Sequence, residues 1–295
     1  MHFYTVKSGP PGKKLAVLLL LSLAILAPGL ENTLWAQDNG DQNVNLNHWA
    51  YASAFGTGIY YLWGDEIKTY VIRIQPRVTK RIPLKKYEDK RELLVEFIVP
   101  VTFGVRTFDF KDIIEGEFPT RLRQISVTPG VEIEIPVNRR WLLRPFGNFG
   151  WGTETGSEKI SAWIYWAGIK SRWAFQKGNF DFALLNGIAS YGYMPSDGDP
   201  HGMSVLTTGL EVEHRLGNLS WHGDQLYLKT HLINYFYLNH DQLMVSSARN
   251  LIDLGAEWEI GASIGKKIKF KIWFYKFDRL GVAYRFSKNT RGIRL

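Results

Sequence analysis

The chain has 295 residues, enough for one large all-β domain or two small ones, and no cysteine, which excludes a disulfide framework, a thiol nucleophile and cysteine-ligated metal. Hydrophobic residues make up 45% and mean hydropathy is −0.17, too polar for a bundle of membrane helices but normal for strands that alternate apolar and polar side chains. The net charge of +8 is scattered through such segments, so it does not mark a nucleic-acid surface, whereas 14% aromatic content with 11 Trp points to rings placed at an interface.

At the N-terminus, Lys13 and Lys14 precede an apolar run, Leu15 to Leu26. It is shorter than the ~20 residues a membrane-spanning helix needs. Pro28 and Gly29 end it, and Leu34-Trp35-Ala36 offers a small residue for cleavage, so residues 1–36 read as a secretory signal peptide with a mature start at Gln37. Residues 37–48 are polar and read as a short periplasmic lead-in. No later run reaches helix-spanning length, so a membrane crossing has to be made by strands.

The first predicted strand, 49–63, puts Trp49, Tyr51, Phe55, Ile59 and Tyr61 on one face and Ala50, Ala52, Ala54, Gly56 and Gly58 on the other. A turn at Gly64-Asp65 leads to a second, 67–78, with Tyr70, Ile72, Ile74 and Val78 opposed by Thr69, Arg73 and Gln75. The clearest alternation follows: Leu93, Val95, Phe97, Val99, Val101, Phe103 and Val105 share a face, with Glu96, Thr102, Gly104 and Arg106 behind them and a bend expected at Pro100. Segments 125–137, 141–151, 160–175, 180–193, 206–212, 225–238, 251–264, 268–277 and 279–286 complete a count of twelve. The two faces of 160–175 do not separate, because Trp163, Ile164, Tyr165 and Trp166 occupy both. Tight turns are expected at 138–140, 176–178 and 265–267, and longer connections at 111–120, 153–159, 194–203 and 239–249. An even count returns both ends to one side, as a single-chain bacterial barrel requires. The recurrence of glycine on the polar face argues against a soluble sandwich, whose core needs bulky inward residues.

The last predicted strand reads Arg279-Leu-Gly-Val-Ala-Tyr-Arg-Phe286. Its spacing, filled by Arg279, Gly281, Tyr284 and Phe286, resembles the C-terminal assembly signal of outer-membrane β-barrels, although residues 287–295 follow it as a C-terminal extension. Twelve strands, this pattern and the run Leu143-Arg-Pro-Phe-Gly-Asn-Phe-Gly-Trp-Gly152 together resemble the translocator barrel of autotransporters, over residues 49–286. Only residues 37–48 stand between the predicted signal peptide and the barrel, so the chain is similar to solitary, passenger-less autotransporter-like barrels. The resemblance implies a Gram-negative outer membrane, with outer-membrane lipid around the barrel and the barrel-assembly machinery and periplasmic chaperones as partners during biogenesis.

Chemistry-bearing motifs are sparse. The seven histidines, His2, His48, His201, His214, His222, His231 and His240, show no ligand spacing, so neither metal nor cofactor is expected. Ser190, Ser204, Ser246 and Ser247 lie in no nucleophile motif, and no catalytic residue is assigned. Alternation instead selects a set of inward charges: Arg73, Glu96, Arg106, Glu132, Glu134, Arg144, Glu211, Glu213, Arg215, Lys229, Asp253, Glu257, Glu259, Lys269, Lys271 and Arg285. Both signs are present, either pairing into a network that fills the lumen or lining a water-filled path. The pairs Glu132/Glu134 and Glu257/Glu259 are i, i+2 neighbours on one strand face rather than a glycosidase dyad. The sequence thus predicts an all-β, transmembrane, antiparallel up-and-down barrel of about twelve strands. Its expected role is non-enzymatic, a porin-like pore or a structural membrane protein. A lipid-modifying enzyme and a loop-borne adhesin or receptor remain the alternatives.

Overall fold

The computed structural model describes residues 56–62, 67–83, 91–106, 124–154, 160–196, 200–221, 224–238, 243–245, 250–252, 256–272, 275–288 and 290–295. Among them are seventeen strands and no helix. They are β1 (Gly58–Leu62), β2 (Ile67–Ile74), β3 (Arg77–Pro83), β4 (Glu92–Ile98), β5 (Val101–Arg106), β6 (Gln124–Val127), β7 (Gly130–Pro136), β8 (Trp141–Glu154) and β9 (Ile160–Lys177). There follow β10 (Phe180–Pro195), β11 (His201–Trp221), β12 (Asp224–Tyr237), β13 (Leu243–Val245), β14 (Asn250–Ile252), β15 (Ala256–Ile272), β16 (Tyr275–Phe286) and β17 (Thr290–Arg294).

Three pairs of strands are single staves broken at a proline: β2 with β3, β4 with β5, and β6 with β7. Each remaining strand except β13 and β14 is a stave by itself, and every stave pairs antiparallel with the next in sequence. The last, β17, pairs with both β16 and β1 (Gly58 opposite Arg294, Leu62 opposite Thr290), so twelve staves close into a barrel. Closure leaves no free edge along the paired rows, which is the only way a sheet satisfies its backbone away from water.

The broken staves show how the sequence bends the wall. Proline has no N–H to give to a ladder. At Pro76, Pro100 and Pro129 the carbonyl still accepts from the next stave, from Val99 N, Thr128 N and Phe149 N, each at 3.0 Å. Three neighbouring staves therefore step sideways together, and Pro100 sits at the bend expected of it. Where the step ends, a Cβ on Gly150 would lie 2.0 Å from the Val127 carbonyl oxygen, so only glycine fits. The turns at 138–140 and 178–179 are tight: Asn138 Oδ1 accepts from Arg140 N and Trp141 N at 2.8 and 2.9 Å, and Gly178 has φ +60°.

Faces alternate as expected. Phe97, Phe149, Trp163, Leu232, Ile260, Leu280 and Val282 are among the large apolar side chains exposed on the outer wall, while Thr102, Ser126, Thr128, Glu211, Glu257, Glu259 and Arg285 are buried. What is buried here lies in the lumen, not between layers. The strand that could not be assigned from sequence resolves cleanly: Ala162, Ile164 and Trp166 point in, Trp163 and Tyr165 out.

Several boundaries differ from the sequence reading. Gly265-Lys266-Lys267 is not a turn but lies within β15, where the register to β16 slips between Gly265 and Phe270. A bulge uses the same residue types as a turn, and here the chain runs on to Ile272. The segment 279–286 consequently belongs to β16, the eleventh stave, and the supposed extension 287–295 contains the twelfth. The connection placed at 194–203 shrinks to 196–200, because β10 runs to Pro195 and β11 starts at His201. The eighth strand, expected over 206–212, is 21 residues long. The signal peptide, the lead-in, the start of the first strand (49–55), the turn at 64–65 and the loop 111–120 lie outside the described residues.

Candidate functional site

The inward face of the barrel carries the chemistry-bearing side chains, and they fall into two groups. One lies at the end of the barrel where β15 begins and β12 stops. There Glu257 accepts from Arg285 Nε and from the Tyr237 hydroxyl at 2.6 and 2.7 Å, and from Thr290 on the closing stave. Arg285 Nη2 also donates to the Tyr237 hydroxyl at 2.6 Å, and the guanidinium lies 3.9 Å from the centre of the Tyr235 ring. Next to it, Glu259 meets His231 Nε2 at 3.2 Å, the Tyr235 hydroxyl at 3.4 Å and Arg294 Nη1 at 3.1 Å. Four consecutive staves, β12, β15, β16 and β17, are thus tied through two carboxylates two residues apart.

The side chains reach beyond this wall. Tyr191, on β10, is within electrostatic reach of Arg285, Arg294, Tyr235 and Arg73. Arg73, on β2, stacks over Trp166 of β9 at 5.4 Å, although three staves separate the two strands around the wall. That contact is a chord across the lumen. Side-chain exposure falls to 6% for Arg285 and 2% for Glu257. At this level tyrosine, tryptophan, arginine and carboxylate side chains pack against one another inside the lumen.

Toward the end that carries the 138–140 and 178–179 turns, the charges spread out. Glu132 pairs with Lys170 at 2.9 Å, and Glu134 with Arg144 at 2.5 Å. Glu211 bridges Arg172 of β9 at 3.0 Å and Lys229 of β12. Glu213 reaches Arg279, three staves away, at 2.6 Å. Glu96 takes Arg77 at 3.4 Å and Thr79 at 3.2 Å, and Arg215 lies 6.0 Å from the Tyr227 ring centre. Lys170, at 55% exposure, and Arg172, at 41%, remain accessible, so this end is a more open, charged vestibule.

Of the sixteen inward charges read from the sequence, Arg73, Glu96, Glu132, Glu134, Arg144, Glu211, Glu213, Arg215, Lys229, Glu257, Glu259 and Arg285 all take part in these contacts. Asp253 and the side chains of Arg106, Lys269 and Lys271 lie outside the described residues. In the assembly-like pattern, Tyr284 faces outward and stacks on Phe286 at 5.6 Å, while Arg279 points in to Glu213. Sequence reading missed the tyrosines Tyr60, Tyr191, Tyr193, Tyr235 and Tyr237, together with Trp166 and Arg294. Their even or odd position on each strand carried the signal, but an aromatic on a barrel strand reads first as an outward residue. Among the described residues no cluster of three or more His, Asp or Glu side chains forms a metal site.

No family model matches the chain, and no curated protein does. Among solved structures it is similar to the β domain of the Bordetella autotransporter BrkA, at 10% identity and a TM-score of 0.53, over 81% of this chain and 95% of that one. The chain thus has the closed, twelve-stranded, antiparallel barrel fold of an autotransporter β domain.

Proposed function

We propose that this chain is an integral outer-membrane β-barrel of a Gram-negative bacterium, of the autotransporter translocator type, whose role is structural rather than that of an open pore. An outer wall bearing Phe97, Trp163, Ile260 and Leu280 is favourable in lipid and costly in water. Outer-membrane lipid is then its surrounding partner, and the barrel-assembly machinery and periplasmic chaperones are its partners during insertion. The observation that carries the structural role is the buried knot around Glu257 and Arg285, reinforced by the Arg73–Trp166 chord. A conducting path needs hydrated walls, and here charge is satisfied by charge.

The test is single-channel recording on refolded protein in a planar bilayer. Verified barrel with no steady current is the expected result; stepwise, long-lived conductance would sink the closed-lumen reading and make the inward charges pore residues. One observation favours a second, receptor-like reading: the connection between β12 and β15 carries its own hairpin, with Leu243 opposite Ile252 and Val245 opposite Asn250. Ligand capture at the cell surface that disappears when 243–252 is replaced by a short glycine linker would move the assignment there.

A further inference from the structure

The outer wall is not uniformly apolar. Across β9, β10, β11 and β12 one register row reads Ser171, Asn186, Thr208, Asn234, each directly opposite the next. A second row, four residues along the strands, reads Gly147, Ala167, Ser190, Ser204 from β8 to β11. Between them runs the apolar row Ile169, Ile188, Leu206, Phe236. All of these side chains point outward: they share strand parity with Trp163, Leu184, Leu210 and Leu232, which are exposed.

The polar groups are partly engaged with each other. Thr208 donates to Asn186 Oδ1 at 3.2 Å, Ser190 and Ser204 hydroxyls lie 2.9 Å apart, and Trp141 Nε1 donates to Ser171 at 2.9 Å. Asn234 Nδ2 donates to the Glu257 carbonyl at 3.2 Å. Among the described residues no hydrogen bond is made by Asn186 Nδ2, on an exposed side chain of this face. The aromatic residues Trp163 and Trp173 of β9 lie on either side of these rows, so the polar side chains sit between the two ends of the apolar wall, not beyond them. Lipid tails offer such groups no partner.

We infer that this face, β8 to β12, is an interface between two copies of this chain within the bilayer, an inference that rests on the membrane reading above. The occupant follows from the chemistry. Every polar group in the patch is a hydroxyl or a carboxamide, both donor and acceptor, and none is charged. A two-fold axis through the patch brings donors of one copy against acceptors of the other, the self-complementarity that an isologous contact requires. The glycine, alanine and serine row lets two curved walls approach without large side chains between them, and polar side chains then bond across the contact as they do between membrane helices. A lipid headgroup stays at the bilayer surface, whereas these rows lie between Trp163 and Trp173 within the apolar wall, where lipid tails offer no partner.

The absence of native cysteine makes the test direct. Single variants Ala167→Cys, in the patch, and Leu280→Cys, exposed on β16 outside the patch, are refolded into phosphatidylethanolamine–phosphatidylglycerol vesicles. Flotation and heat-shifted gel mobility establish insertion first. Oxidation is expected to link Ala167→Cys into dimers and leave Leu280→Cys monomeric. Adding Asn186→Leu with Thr208→Val, outward substitutions that remove the donors and are held to the same insertion check, is expected to lower the dimer yield at least ten-fold. Equal cross-linking at both positions, a yield unmoved by the double substitution, or inserted protein that stays monomeric at high protein-to-lipid ratio overturns the interface and leaves the membrane reading standing. Failure to float with vesicles overturns the membrane reading itself, and the interface with it.

Discussion

Arg294 and Glu259 lie on staves that do not touch along their backbones, yet the arginine Nη1 sits 3.1 and 3.2 Å from the two carboxylate oxygens, reaching past β16 inside the lumen. The reach matters because of where it occurs. The seam between β1 and β17 is five residue pairs long, whereas β9 and β10 pair over sixteen. Lumen side chains supplement the short rows of backbone bonds on both sides of β17, five pairs to β1 and four to β16: Thr290 and Arg294, both on the closing stave, anchor to Glu257 and Glu259.

Glu257→Ala is therefore expected to destabilise the barrel by about 3–5 kcal/mol, because it leaves Arg285 charged and buried without its carboxylate. Glu96→Ala, which breaks a pair whose arginine is half exposed, is expected to cost roughly 0–1 kcal/mol. Urea unfolding in detergent micelles, followed by tryptophan emission, separates the two. Equal midpoints would mean that the knot contributes nothing to closure.

A paired removal asks a different question of the same site. In Glu257→Ala with Arg285→Ala no orphan charge remains, so most of the single-variant loss is expected to be recovered. The lumen loses its most buried polar contact at the same time, and steady current is expected where the parent chain shows none. A silent double variant with a native unfolding midpoint would place the seal elsewhere, at the Arg73–Trp166 chord.

Two glycines three residues apart in the run 143–152 separate packing from composition. Gly147 faces outward with nothing within 4 Å of an added Cβ, and Gly147→Ala is expected to leave stability unchanged. At Gly150 the same methyl meets the backbone of β6 at 2.0 Å, and a substitution there is expected to cost about 1–3 kcal/mol and lower refolding yield. Refolding yield and urea midpoint of the two variants, measured side by side, decide it. Indistinguishable variants would mean that the proline step relaxes freely.

Period-2 alternation made most of the wall legible in the sequence, because a one-residue slip moves every side chain to the wrong face. Leu93 to Phe103 announced its outward face, and the twelve described inward charges, from Arg73 to Arg285, followed from the same arithmetic. Illegible were the places where local signals have two structural meanings. Gly265-Lys266-Lys267 serves a bulge as well as a turn, and β9 carries Ile164 and Trp166 inward and Trp163 and Tyr165 outward, large side chains on both faces. The lumen chords were invisible for another reason: the distance from Arg73 to Trp166 depends on closure of the whole ring, which no local pattern encodes.

The sharpest consequence of that ambiguity concerns the end of the chain. If Arg279 to Phe286 were the final stave, removing residues 287–295 would be harmless. In the structure Thr290–Arg294 bonds β16 on one side and β1 on the other, and Leu295 N donates to the Thr57 carbonyl at 3.1 Å. Deleting Ser287 to Leu295 removes both ladders and two lumen anchors at once, leaving β1 and β16 with unpaired edges that no neighbour satisfies. The deletion is expected to abolish the heat-shifted gel mobility of the folded barrel and to expose it to protease. Lys288→Ala, at an exposed position just before that stave, is expected to behave as the parent chain. A subtler variant probes the same seam: Gly292 packs under Tyr60, whose ring a Cβ would meet at 2.6 Å, so Gly292→Val is expected to weaken closure without shortening the chain. A truncated protein that still resists protease and migrates as a folded barrel would return the closing role to β16.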